Sequence, residues 1–271
     1  MPPGVRLGKI LAPMVPSDRS QAPDVRVFAT REGALAVALE ELRRTVQRGN
    51  EPLVCFATGA TFTSMLQRLH AELVAGRVGT NAFHATHLDE YLGFAPTRPG
   101  GMVHELEQAC PALATMRTAG RFLPVPCDGT RESMLLHEQR LRALGGVRLQ
   151  FLGIGRNGHL AFNEPGTPFE SGFHVTELAA TTRQDAAPRF APNPVPTHAV
   201  TSGLATVLGA ERLVLCAFGK GKAPAVKAML DGPVSVQCPA SVLRRHPNVL
   251  VLLDREAASE WSGSQAAAVA P

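Results

Sequence analysis

The chain has 271 residues, 45% hydrophobic and 18% charged, which gives enough apolar material for one large core in an ordinary globular protein. A net charge of +4 and a pI near 9.0 allow an anionic ligand, but no Lys/Arg block with interleaved aromatics occurs, so nucleic acid is not an expected partner. No apolar run approaches the roughly 20 residues of a membrane helix, and the segment 7–15, interrupted by Pro13, is too short for a signal peptide, so no membrane association is expected.

Residues 1–24 are Pro-rich and unpatterned and read as a loose arm. Residues 25–29 form a first strand. Thr30 then caps a helix whose Leu35, Leu39, Leu42 and Val46 share one face and which stops near Gly49. Residues 53–57 are continuously apolar, the pattern of a strand covered on both faces. They lead into Thr58, Gly59, Ala60 and Thr61, followed by a helix carrying Met65, Leu66, Leu69 and Leu73. Strand, small-residue turn and helix start together offer free backbone N–H groups to a phosphate. A third strand, 83–88, ends in Asp89, Glu90 and Tyr91. Residues 95–130 are rich in Pro and Gly and hold only a short helix around 103–110, which Pro111 stops. A clearer helix runs from Thr130 through Met134, Leu141 and Leu144 to Gly145 and Gly146.

Residues 147–152 read as a strand that breaks into a glycine loop, GIGRNGHLAFNEPG at 153–166, which delivers Asn157, His159 and Glu164 together. Chemistry in an open α/β sheet collects beyond the carboxyl ends of strands, and an imidazole with a carboxylate suits proton transfer near neutral pH. Residues 167–196 are irregular, with Pro188, Pro192, Pro194 and Pro196, and read as a flap over the site that carries Arg189. A strand at 213–218 follows, then Gly219, Lys220, Gly221 and Lys222 at a helix start, without the spacing of a P-loop. A helix to Leu230, a shorter helix and a last strand at 249–253 complete the pattern, and the Ala/Ser-rich tail from 256 reads as loose. The five cysteines are scattered without metal-ligand spacing, and Cys55 and Cys216 fall in strand runs. They read as reduced thiols of a cytoplasmic protein with no metal site. Repeated strand–helix units predict one α/β domain over 25–255, with a mostly parallel sheet and right-handed crossovers.

Several of these pieces match one family in the same order: TGAT at 58–61, LDEYLGF at 88–94, GIGRNGHLAFNEPG at 153–166, PRF around Arg189 and GKGK before Ala223. Over residues 25–255 the chain resembles the glucosamine-6-phosphate deaminase (isomerase) family. The resemblance implies a Rossmann-like three-layer α/β sandwich. It also implies conversion of a small phosphosugar, D-glucosamine 6-phosphate, with water to D-fructose 6-phosphate and ammonia, with no metal or organic cofactor. It makes Asp89 the base that moves the C2 proton to C1, with Glu90 in support. His159 becomes the acid/base that opens the pyranose ring, oriented by Glu164 and Asn157. The phosphate falls to Thr58, Gly59, Ala60, Thr61, Arg189 and Lys222.

The chain departs from the family pattern in four places. Asn157 stands where some members carry Asp, and its amide oxygen is expected to accept the imidazole N–H and set the tautomer. Residues 95–120 lack the family's polar, aromatic-bearing run. Pro168 stands where allosterically regulated members tend to have serines, so regulation by an N-acetylated sugar phosphate is not expected. The short tail differs from the family's helical end, which leaves formation of a homo-oligomer open. The related 6-phosphogluconolactonases share the G-x-G-x-x-G-H loop but continue toward a Ser-containing string, and they are the alternative enzyme class. A catalytically silent sugar-phosphate binder and a deaminase of another 2-amino-sugar phosphate, such as galactosamine 6-phosphate, are the remaining alternatives. The intact Asp89, Glu90 and FNEP string favour the deaminase.

Overall fold

Thr30 and Thr130 cap helices as their positions after non-helical segments predict. Thr30 Oγ1 accepts the N–H of Gly33 at 3.1 Å and Thr130 Oγ1 that of Ser133 at 3.3 Å, so each hydroxyl satisfies a donor the helix leaves free. In the computed structural model, which describes residues 22–265 and 269–270, the elements follow in this order. The first half holds β1 (Asp24–Phe28), α1 (Arg31–Gln47), β2 (Leu53–Phe56), α2 (Thr63–Val74), β3 (His84–His87), β4 (Asp89–Tyr91), α3 (Met102–Ala109), α4 (Ala112–Thr118), β5 (Phe122–Leu123) and α5 (Arg131–Ala143). The second holds β6 (Val147–Leu152), β7 (His174–Glu177), α6 (Ala180–Phe190), β8 (His198–Thr201), α7 (Leu204–Leu208), β9 (Arg212–Ala217), α8 (Ala223–Leu230), β10 (Val249–Asp254) and β11 (Val269–Ala270). Short 3-10 turns precede α8 (Lys220–Lys222) and β10 (Pro239–Arg245).

The main sheet runs β11-β1-β10-β9-β6-β2-β3-β5, with every pairing parallel. Helices cover it in a three-layer α/β sandwich, and its central strands are buried along nearly their whole length, which is why they read as unbroken apolar runs. Phe56 of β2 and Phe151 of β6 stack across the sheet with centroids 5.9 Å apart, and Phe62 closes on Phe151 from the start of α2. All five cysteines are free thiols, and no helix among the described residues is long and apolar enough to cross a membrane.

Several expectations need correcting. The strand read as 83–88 leaves the main sheet at His87, and Asp89–Tyr91 pairs antiparallel with β8 instead. With β7 it forms a second, three-stranded antiparallel sheet, β4-β8-β7, absent from the sequence reading. Helix α3 stops before Pro111 as expected, but Pro111 then caps a further helix, α4, absent from the sequence reading. The segment 167–196 is not irregular throughout, since it contains β7 and all of α6. Pro188 sits in the last turn of α6, where only the end of the hydrogen-bond ladder is disturbed. The tail from 256 stays on the body as far as it is described. Ala257 and Ala258 are fully buried, Asp254 accepts the N–H of Ala257 at 2.7 Å, and Asp231 accepts that of Ser262 at 2.9 Å. The loose arm at 1–24 lies almost wholly outside the described residues.

Candidate active site

The carboxyl ends of β2, β3, β6 and β9 open onto one cavity of about 490 Å3. Thr58, Gly59, Ala60, Thr61, Asp89, His159, Arg189 and Lys222 all line it, so residues spread over more than half the sequence meet at the place an open parallel sheet offers a ligand. Glu90, Asn157 and Glu164 are not part of this lining.

Asp89 is buried, and among the described residues no donor reaches its carboxylate. Burial, reinforced by the adjacent Glu90 and opposed by Arg189, pushes its carboxyl up to about 7. A carboxyl at that value can both take up and return a proton near neutrality. Glu90 turns the other way. Its Oε1 accepts the N–H groups of Tyr91 and Met102, each at 2.9 Å, and its Oε2 that of Val103 at 3.1 Å. It therefore caps the N-terminus of α3, anchors that helix under the pocket and holds β4 in line, while burial still raises its carboxyl against those donors.

His159 lies flat against Gly155: a Cβ on Gly155 would sit 2.3 Å from the ring, so only glycine leaves room for the imidazole. The ring Nδ1 faces Glu164 Oε2 at 3.5 Å and Thr182 Oγ1 at 3.4 Å. Glu164 is the hub of this corner. Its Oε1 accepts the Thr182 hydroxyl at 2.6 Å and the Ala179 N–H at 3.2 Å, and its Oε2 accepts the Asn157 amide at 2.8 Å. Burial opposes its charge, but the donors His159, Thr182 and Asn157 outweigh it and hold the carboxyl at about 2. The expectation for Asn157 is corrected here. Its oxygen accepts the backbone N–H of His159 at 3.2 Å rather than the imidazole. This is a local turn bond available to an Asn two residues upstream. The amide nitrogen is left free to donate to Glu164, which an Asp at this position could not do.

In the same lining, Gly59 adopts φ +89, and the N–H groups of Gly59, Ala60 and Thr61 have no partner among the described residues. Lys222 reaches the cavity from the turn before α8, and burial lowers its ammonium against the pull of Asp185. Arg189 approaches from the last turn of α6, its Nη1 3.6 Å from the Met102 sulfur. Unpaired N–H groups at a helix start with two cations are the chemistry that suits a phosphate.

Residues 29–252 match the model of the family described as glucosamine-6-phosphate isomerases/6-phosphogluconolactonase. The chain belongs to this family. A glucosamine-6-phosphate deaminase of Listeria monocytogenes is 38% identical over 224 residues, covering 82% of this chain and 93% of that protein. One from Colwellia psychrerythraea is 37% identical over 239 residues, covering 87% and 89%. The solved structure of a monomeric glucosamine-6-phosphate deaminase superposes with a TM-score of 0.80 at 32% identity, over 88% of this chain and 99% of that one. A 6-phosphogluconolactonase from Trypanosoma cruzi shares the fold, with a TM-score of 0.70 at 18% identity, over 89% and 97%.

Within this family frame, Thr182 is the residue of the acid–base corner that sequence reasoning missed. It is 6% exposed and joins both His159 and Glu164, yet it lies 23 residues from His159 in a segment read as irregular.

Proposed function

We infer that this chain is an enzyme that converts D-glucosamine 6-phosphate and water to D-fructose 6-phosphate and ammonia. The observation that carries the reading is one cavity lined by Asp89 and by His159, which pairs with Glu164, together with the free N–H groups of 59–61 and Lys222. In the open-chain amino sugar, Asp89 takes the C2 proton and returns it to C1. The C2–N bond thereby becomes a ketimine, which water hydrolyses to the ketone and ammonia. A single carboxyl near pH 7 suits both halves of that transfer. His159, charge-supported by Glu164, opens the pyranose by exchanging protons with the ring oxygen and the C1 hydroxyl. The segment 167–196, with α6 at its centre, acts as the lid of a single domain over 25–255. The substrate class puts the chain in cytoplasmic amino-sugar catabolism.

A lactonase needs no base that shuttles a proton between adjacent carbons, so Asp89 favours deamination over hydrolysis of a sugar lactone. Ammonia release measured on glucosamine 6-phosphate and galactosamine 6-phosphate, beside hydrolysis of 6-phosphogluconolactone, decides the matter. Ammonia from glucosamine 6-phosphate at the highest kcat/KM is expected. Hydrolysis of the lactone without ammonia from either amino sugar would overturn the reading, and ammonia from galactosamine 6-phosphate alone would change the substrate but keep the chemistry.

A further inference from the structure

Arg31 belongs to none of the strings that define the family, yet it lines the same cavity as Thr58, Thr61 and Lys222. It is the first residue of α1, directly after the cap Thr30. Two sets of contacts fix its place. Its neighbour Glu32 accepts the Ser64 hydroxyl at 3.1 Å and the Arg68 guanidinium at 2.6 Å, which ties the first turn of α1 to the first turn of α2. On the other side its guanidinium carbon stands 5.5 Å from the centroid of the Phe218 ring, just ahead of the Lys222 turn. Arg31 is therefore held, through its neighbour and its own ring contact, beside the start of α2 and ahead of the Lys222 turn, in the lining that both share.

The side chain is also unsatisfied. Glu32 spends its carboxylate on α2 rather than on Arg31, no ion pair forms at Arg31 among the described residues, and its Nε is buried without a partner. A cation in the first turn of a helix faces the positive end of the helix dipole, and a buried donor without an acceptor is unfavourable. Among the described residues no acceptor offsets either penalty, and the Phe218 ring answers only part of the charge. An anion in the cavity repays both.

We propose that Arg31 is a third cation for the substrate's phosphate, joining Lys222 and the N–H groups at the start of α2 to bind a phosphate monoester dianion. The proposal rests on the reading of this cavity as a sugar-phosphate site, and it adds a contact that reading does not contain. Arg31→Met keeps the aliphatic packing on Phe218 and removes the charge, whereas Arg31→Lys keeps the charge. Binding of inorganic phosphate to the full chain is followed by titration calorimetry, and KM is measured in parallel. Phosphate affinity should fall about tenfold or more in Arg31→Met and by only about threefold in Arg31→Lys, with the Met loss appearing in KM rather than kcat. Lys222→Ala, in the same titration, should weaken phosphate comparably.

Phosphate affinity in Arg31→Met within about twofold of the parent would overturn the proposal, as would equal losses in the Met and Lys variants, which would show that the charge at this position does not hold the phosphate. Failure of the parent chain to bind phosphate would overturn it as well. Phosphate binding that depends on the Arg31 charge in a chain that releases no ammonia would support the proposal while refuting the deaminase. Deamination with phosphate affinity indifferent to Arg31 would do the reverse.

Discussion

Asp89→Asn should lose activity and gain stability, and the gain should depend on pH. The buried Asp89 carboxyl lies at about 7 against an ordinary value of 3.8. A displacement of roughly three pH units is about 4 kcal/mol against the ionised form in the fold. Because the folded value is raised, the unfolded chain releases its proton first. The folded state therefore binds more protons between about pH 4 and pH 7, and stability falls as pH rises through that window. Asparagine is neutral throughout and carries no such penalty. Measured by denaturant unfolding, the variant should gain about 2–3 kcal/mol on the parent between about pH 5 and pH 8.5. Little screening reduces this, since Asp89 is only 6% exposed. Deamination should drop by about a hundredfold or more in the same protein. A stability difference that stays constant across the range would refute the assigned burial of charge, and near-parental ammonia release would refute Asp89 as the base.

Thr182→Val removes the 2.6 Å donor to Glu164 without changing volume, and kcat should fall roughly tenfold with KM little changed and Thr182→Ser restoring most of it. A uniform loss in both variants would assign Thr182 to packing alone. Asn157→Asp puts a carboxylate where an amide now stands 2.8 Å from Glu164. Two carboxylates so close cannot both ionise, so the acid limb of the pH–rate profile should move up by about one pH unit or more, and an unmoved limb would contradict the contact. Gly155→Ala pushes a methyl group to 2.3 Å from the His159 ring. It should cut kcat by about a hundredfold in a protein that unfolds at the parent's temperature, because the backbone at Gly155 needs no positive φ; a fully active alanine variant would mean the ring does not work from this position.

The main layer of the fold was legible because its signals are local. The apolar run at 53–57, the caps Thr30 and Thr130 and the stop at Gly145 each announce an element within a few residues. The second sheet was not, because β4, β7 and β8 have only three or four residues each, and β4 pairs with β8 across more than a hundred positions. The cavity-lining residues were found because they sit in strings that keep family order. The roles behind the lining were harder to read. Glu90 looked like a helper of Asp89, but its partners lie 12 and 13 residues on, at the start of α3. Asn157 offers both a donor and an acceptor, and only the fold decides which faces Glu164. Thr182 and Arg31 carry no pattern of their own.

Helix α6 holds Thr182 in its first turn and Arg189 in its last, seven residues apart, so one rigid element of about 10 Å carries both the hydroxyl donor to Glu164 and a cation of the cavity lining. With phosphate on Arg189, affinity for a remote, unreacting group would be spent on aligning Glu164 and His159 rather than on occupancy alone. Glucosamine without its phosphate would then turn over slowly even at saturation, because no concentration of the neutral sugar supplies the missing pull on the far end of the helix. Discrimination against the unphosphorylated sugar would then show in kcat as well as in KM.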